Sequence, residues 1–365
     1  MTRTLETPRW RVDPTLSAAA ARATDLLADA GIHADITDVQ PPAFNGRNGA
    51  WSMSLTSGQR IFVKHISAEV SGGRAFERSV AFAEFSQRHS ALAPHSPQLI
   101  AHRKTDGLLI FEHCGGTNLA ELLIREAIPE DFAAQAGRHM ARLHRAPIDG
   151  LTASYHPSPP TQMLRHGVSQ ERYVRFTLAE LALWPQLQED QALVTAAEEL
   201  RAWEAAHQVA PIHGDLRLDQ FHLSDGRPVL LDWEEFGLGD PARDLGTFAG
   251  EWIYRAVLDT VTSRGGAGAP PLSFDAASAT RRITERMEHL APRISQMWQA
   301  YRREAKREDP ELALRATAHL GWHLVDRTIA RAATVSRLPG IERAAAGIGR
   351  KILLAPAAYR AALGF

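Results

Sequence analysis

The sequence predicts an α+β protein in two lobes, a small β-rich front followed by a large helical back. Between Ile36 and Phe111 the apolar residues fall in short runs separated by turn residues, whereas from Asn118 onward helical patterns take over and Ala276–Phe365 reads as almost wholly helical. The 365 residues suffice for two such units, at roughly 100–200 residues each. A hydrophobic share of 44% and a charged share of 23% are those of an ordinary globular protein. No internal repeat or low-complexity tract interrupts the pattern.

The elements follow in order. Leu16 to Gly31 is rich in Ala and Leu and stops at glycine, which predicts a short helix. Ile36–Val39 reads as a strand entering the turn-rich stretch from Pro41 to Gly49. Trp51–Leu55, the turn Thr56-Ser-Gly58 and Arg60–Lys64 predict a hairpin. Arg74 to His89 carries Phe76, Val80, Ala81 and Phe85 at amphipathic helical spacing. Gln98–Ala101 and Leu108–Phe111 add two strands. Asn118 can cap a helix over Leu119–Arg125, and a second helix runs from Asp131 to Arg145. A Pro- and Ser-rich loop spans Thr152–Gln162, Leu178–His207 holds at least one more helix, and Pro211–Trp233 returns to short strands and loops.

Composition excludes several classes. A formal net charge of −1 gives no ground for non-specific nucleic-acid binding. Cys114 is the sole cysteine, so no intramolecular disulfide can form. The polar start Met1-Thr-Arg-Thr-Leu-Glu-Thr-Pro8 lacks a signal-peptide core. Nothing approaches the ~20 apolar residues of a membrane span. The expectation is a cytoplasmic protein with no nucleic-acid or membrane partner.

One segment concentrates chemistry. It reads Pro211-Ile-His-Gly-Asp-Leu-Arg-Leu-Asp-Gln220, then Val229-Leu-Leu-Asp-Trp-Glu-Glu-Phe-Gly237. Phosphoryl transfer requires held phosphates, Mg²⁺ bridging their oxygens and a carboxylate beside the attacking hydroxyl, and this run carries carboxylates, a cation and an amide in close order. His213-Gly-Asp215, Gln220, Leu231-Asp232 and Gly239-Asp-Pro-Ala-Arg-Asp-Leu245 together resemble the catalytic core of aminoglycoside phosphotransferases and choline kinases. The resemblance implies a protein-kinase-like bilobal fold, with an N-terminal helical extension over 1–35, a nucleotide-binding lobe over 36–113 and a catalytic, acceptor-binding lobe over 114–365.

It also implies roles. Asp215 takes the place of the catalytic carboxylate and Arg217 that of the cation steadying the moving phosphoryl group, with Gln220 and Asp232 as metal ligands. The usual second ligand is Asn; the Gln220 amide offers the same hard oxygen on a longer arm. Asp240 and Asp244 are expected to make structural hydrogen bonds. Lys64 would hold the ATP phosphates, paired with Glu77 or, two turns on, Glu84. Gly46, Arg47, Asn48 and Gly49 lie where a loop covers phosphates, or form an ordinary hairpin turn. Glu112 and Cys114 fall at the hinge facing adenine, with Cys114 a packed small side chain. ATP and Mg²⁺ are the implied cofactors. His319 and His323 have zinc-pair spacing but no third ligand, and Arg302–Arg307 reads as a solvated helix face or a contact for an acidic peptide.

A closer resemblance narrows the acceptor. Asn45-Gly-Arg-Asn-Gly-Ala-Trp51, Val63-Lys64, His213–Phe221, Asp232-Trp-Glu-Glu-Phe236 and Phe248-Ala-Gly-Glu-Trp252 look like the kinase subunits of class V lanthipeptide synthetases, from about Gly31 to Trp252. In that family Gln at position 220 is a normal form. The resemblance implies phosphorylation of Ser and Thr in a precursor peptide, with separate lyase and cyclase partners; the lyase would eliminate the phosphate to leave dehydroamino acids. Two rivals stand beside it: a small-molecule hydroxyl kinase acting on an aminoglycoside-like acceptor, and a catalytically silent subunit that recruits the precursor or scaffolds the lyase.

Overall fold

Period-two alternation organises the first five strands. A computed structural model describes residues 13–41, 49–67, 74–151, 158–260, 276–306 and 308–365. In it β1 (Ile36–Gln40), β2 (Gly49–Leu55), β3 (Arg60–His65), β4 (Leu99–Arg103) and β5 (Leu108–Glu112) form an antiparallel sheet of order β1-β2-β3-β5-β4. Trp51, Met53, Ile61, Val63, Leu108 and Ile110 turn to one face and pack on Ala19, Ala23, Leu26 and Leu27 of helix α1 (Pro14–Asp29). Asp13 caps that helix by accepting from Thr15 N–H at 2.8 Å, a start signal that lies upstream of the predicted boundary. Leu109 turns to the opposite face and meets Ala75 and Phe76 of helix α2 (Arg74–Arg88). Lys64 stands opposite Leu109 in the β3–β5 ladder and shares that second face.

The chain divides into two compact units, the first comprising Met1–Ile124, Thr152–Ser154 and Asp219–Phe236, the second Arg125–Leu151, Tyr155–Leu218 and Gly237–Phe365. Both crossings near the site thus fall inside the run singled out by sequence. To the first unit belong also β6 (Thr117–Asn118), helix α3 (Leu119–Ile124), β8 (Phe221–Ser224) and β9 (Arg227–Leu230). Asn118 accepts from Ala120 N–H at 2.8 Å as the expected cap. Asp225 and Gly226, both at positive φ, close β8 onto β9, the geometry of a type I′ turn whose twist suits a two-residue hairpin.

In the second unit the helices α4 (Phe132–His144), α5 (Thr161–His166), α6 (Gln170–Tyr173), α7 (Leu178–Glu189), α8 (Gln191–Ala206), α9 (Pro241–Asp259), α10 (Ala276–Ala305), α11 (Leu312–Ala332), α12 (Gly340–Leu354) and α13 (Pro356–Tyr359) surround a short ribbon of β7 (Ala210–Ile212) and β10 (Gly237–Gly239). Helix α9 is buried nearly all round, including Leu245, Phe248, Trp252, Ile253 and Val257. Such a helix is central rather than amphipathic. Its start is specified by Asp240, whose side chain accepts from Ala242 N–H at 3.0 Å, followed by Pro241 in the first turn. No helix among the described residues is long and apolar enough to cross a membrane.

Candidate active site

The residues singled out by sequence fall into two groups, one on each unit. In the second unit β7 ends at Ile212 and the chain turns through Gly214 at φ 85°, a left-handed conformation that glycine adopts without strain. Asp244 of α9, fully buried, accepts from His213 N–H and Gly214 N–H, each at 2.8 Å. His144 Nε2 lies 3.1 Å from the same carboxylate, and its Nδ1 lies 3.2 Å from the Tyr301 hydroxyl. Burial alone would raise the Asp244 pKa, but the His144 ring and the amide of His213 hold it below the usual carboxylate range. Asp240 meets Arg315 at 2.7 and 3.2 Å. Both carboxylates are therefore engaged in structure, as expected.

Between these anchors Asp215 stays accessible, with 37% of its side chain exposed and Oδ2 3.3 Å from Arg217 Nε. Its own amide faces His213 Nδ1 at 3.3 Å, and Arg217 N–H donates to Asp215 O at 3.0 Å. The loop backbone is thus tied down while the Asp215 carboxylate remains open to a substrate hydroxyl.

In the first unit Lys64 Nζ meets both Asp232 and Glu234, the latter at 3.0 Å. Burial would lower the Lys64 pKa, yet the two carboxylates outweigh it and raise the ammonium above its ordinary value. Glu234 is pushed up, by burial first and by Asp232 second. Asp232 sits at φ 63°, a sparsely populated backbone for a non-glycine residue of the kind that collects at functional sites. Gln220 stands across the β8–β9 hairpin, its carbonyl accepting from Leu231 N–H at 2.9 Å, one residue before Asp232. The Gln220 side chain is buried. Carboxylate and amide oxygens of this kind suit a hard divalent cation.

The Lys64 partner is a correction. Glu77 lies on the outer face of α2 and pairs with Lys104 at 2.7 Å, and Glu84, seven residues on, is exposed along the same stripe. Neither reaches Lys64. Helix α2 instead buries Arg78, which meets Glu235 at 3.0 Å. Phe82 stacks on Trp233 with centroids 3.4 Å apart, and Phe236 packs edge-on against Phe82 at 5.3 Å. The run Asp232–Phe236 therefore sends Asp232 and Glu234 to Lys64, and Trp233, Glu235 and Phe236 to α2. An acid–aromatic–acid–acid–aromatic order is the signal that could have assigned Glu234 and Arg78.

Other expected residues scatter. Gly46, Arg47 and Asn48 lie outside the described residues, and Gly49 opens β2. Glu112 ends β5 with its N–H on Gln98 O at 2.9 Å, and the Cys114 thiol is pushed up by burial. His323 Nε2 bonds Glu251 at 2.8 Å, while buried His319 is pushed down to about 3 by burial and by Arg243 and Arg315. Among the described residues no group of three or more His, Cys, Asp or Glu side chains forms a metal cluster.

No curated protein matches the chain by sequence. Solved structures with the same fold include the amicoumacin kinase hAmiN in complex with AMP-PNP, Ca²⁺ and Ami, at 13% identity and TM-score 0.54 over 94% of this chain and 96% of that one. LicA in complex with AMP shares 12% identity at TM-score 0.54, covering 93% and 98%. The GDP complex of an aminoglycoside 2′-phosphotransferase-IIIa variant shares 12% at TM-score 0.50, covering 94% and 99%. These likenesses establish the kinase-like fold. The model of the APH phosphotransferase enzyme family matches residues 39–270, spanning both the Lys64 group and the Asp215 loop, so the chain belongs to that family and is a phosphotransferase.

Proposed function

We propose that the protein transfers the γ-phosphoryl group of ATP, with Mg²⁺, to Ser and Thr hydroxyls of a lanthipeptide precursor peptide. The observation that carries the transfer chemistry is the pairing of Lys64 with Asp232 and Glu234, together with an exposed Asp215 on a loop whose backbone is otherwise pinned. Lys64 would bind the ATP phosphates, and Gln220 and Asp232 would hold Mg²⁺. The cation, when bound, offsets charge on the phosphate oxygens. Asp215 orients the acceptor hydroxyl and accepts its proton as the phosphoryl group arrives. Arg217, 3.3 Å from Asp215, offsets charge on the group in transit.

The peptide acceptor rests on the wording of the motifs, above all His213–Phe221 with Asp232–Phe236 and Phe248–Trp252. A phosphomonoester leaves far more readily than hydroxide once an α-proton is removed, so phosphorylation prepares elimination by a partner lyase. A small-molecule hydroxyl acceptor is the second reading, favoured by neighbours named as amicoumacin and aminoglycoside kinases. The test is incubation with Mg²⁺·ATP and a candidate lanthipeptide precursor peptide, read as intact peptide mass, with an aminoglycoside panel in parallel. A gain of one or more phosphates on the peptide, lost in Asp215→Asn, is expected. Turnover on the panel and none on the peptide would replace the peptide with a small molecule. No turnover on either would favour a silent recruiting subunit.

A further inference from the structure

Helix α9 grips the catalytic loop twice. At the entry Asp244 holds the amides of His213 and Gly214. Two turns later Glu251 accepts from the amide of Leu218, at the loop's exit, with Oε2 at 3.3 Å. Asp215 and Arg217 lie between. Asp244 is part of the Gly-Asp-Pro-x-x-Asp-Leu run, whereas Glu251 lies beyond it and takes no part in the transfer chemistry described above.

Glu251 is nevertheless built in with care. It is 8% exposed. Its Oε1 accepts from His323 Nε2 at 2.8 Å and lies 3.4 Å from Arg327 Nε, both on α11 and one turn apart. Position 250 must be glycine for this approach, because a Cβ there would lie 2.7 Å from His323 Cδ2. The Arg327 guanidinium also covers the Tyr254 ring at 5.0 Å, and the Tyr254 hydroxyl donates to Glu342 of α12 at 2.6 Å. Burial would raise the Glu251 carboxyl, but Arg327, His323 and Arg217 hold it down at about 2, so it stays ionised at neutral pH. An ionised acceptor makes the stronger hydrogen bond to a backbone N–H.

We infer that Glu251 is a positioning residue for phosphoryl transfer: it fixes the exit of the catalytic loop through the Leu218 amide, and α11 fixes Glu251 through His323 and Arg327. The inference rests on Asp215 and Arg217 being the residues that act on the acceptor. A carboxylate that only glued α9 to α11 would leave the loop indifferent to its removal. Glu251 instead bonds the loop itself, and Asp215 is three residues from the bonded amide. The two histidines of α11 are thereby assigned as well, His323 to holding Glu251 and His319 to the buried side of the same helix.

The test compares Glu251→Ala, Glu251→Gln and His323→Ala with the wild type. Two readouts are taken: steady-state ADP release with Mg²⁺·ATP and the acceptor that takes phosphate in the assay of the preceding section, and amide hydrogen exchange along the chain. In Glu251→Ala kcat should fall at least tenfold while KM for ATP moves less than twofold. Leu218 and its loop neighbours should exchange at least tenfold faster, with protection of α9 and α11 unchanged. Glu251→Gln keeps an oxygen for the Leu218 amide and should recover part of both losses; it also serves if the alanine variant does not fold. His323→Ala should fall between wild type and Glu251→Ala. A kcat within twofold of wild type, or exchange that rises evenly along α9 and α11, would overturn the inference. If the wild type releases no ADP, the reading of Asp215 fails, and exchange at Leu218 alone then decides whether Glu251 holds the loop.

Discussion

The two groups of site residues are held by opposite means. In the second unit, buried carboxylates on α9 bind backbone amides, so the frame of the loop is set by the fold, and the Asp215 carboxylate stays partly exposed beside Arg217. In the first unit, Lys64 pairs with the two carboxylates of Asp232 and Glu234, contacts that the proposed nucleotide and cation would have to displace. A preorganised frame favours the chemical step, because its cost is met on folding rather than at the moment of reaction. Such a trio keeps charged side chains paired until a ligand replaces the partners. The contrast predicts that damage to the loop frame appears in kcat and in stability, and damage to the trio chiefly in nucleotide affinity.

The largest effect should come from Asp215→Asn, which keeps the shape but removes the proposed base. Its kcat should drop by roughly 10²–10⁴-fold with the nucleotide KM little changed, measured by ADP release. Asp244→Asn attacks the frame behind it. It leaves one amide of the loop poorly accepted and takes a buried carboxylate oxygen from the His144 ring, so chemical denaturation should register a loss of about 3 kcal/mol, accompanied by a fall in kcat. Arg78→Ala probes the first unit, removing the buried cation that meets Glu235. A loss of about 1–3 kcal/mol is expected, with a raised KM for ATP because the Asp232–Phe236 run loses one of its holds on α2.

Acid should separate the two regions as well. His319 is held neutral, its folded pKa near 3 against an unfolded value near 6.5. Between those values the unfolded chain binds more protons than the folded one, so stability is full above pH 6.5 and falls as pH drops toward 3, by at most roughly 1.4 kcal/mol per pH unit. Glu251, depressed to about 2, adds the same sign below about 4.3, the ordinary glutamate value. His319→Gln should flatten the slope of unfolding free energy between pH 6.5 and 4; an unchanged slope would remove His319 from the account. The smallest effect is expected at Glu77. Because it pairs with Lys104 at the surface, Glu77→Ala should leave KM for ATP within twofold, whereas removing a partner of Lys64 should raise it further.

How much of this the sequence shows depends on the range of the interaction. The strands from Ile36 to Phe111 and the helix at Arg74 announce themselves by period, and the Asp215 loop by its ordered motif, because both are local patterns. Asp13 as a cap was equally local but lay upstream of the apolar stretch from which the helix was predicted. The partner of Lys64 was not legible. Choosing among Glu77, Glu84 and Glu234 requires knowing which way α2 is rotated, and that rotation is set by Phe82 stacking on a tryptophan some 150 residues later. Glu251 and His323 meet across 72 positions, at a distance that no periodicity in either helix encodes. The loop residues Gly46, Arg47 and Asn48 lie outside the described part of the chain.

The hairpin β8–β9 sets the register between Gln220 and the residue before Asp232. Gln220 and Leu231 face each other at its open end, while Asp225 and Gly226 close it at the other, with the rungs Phe221↔Leu230 to Ser224↔Arg227 between. The turn therefore works as a gauge: two residues at one end decide which residues confront each other at the far end. Lengthening the turn by one residue would either bulge at the tip or slide the whole ladder by a rung, and a one-rung slide reverses which face each side chain occupies. An engineer wishing to move Gln220 relative to Asp232 without substituting either has, in that distant turn, a handle on both at once.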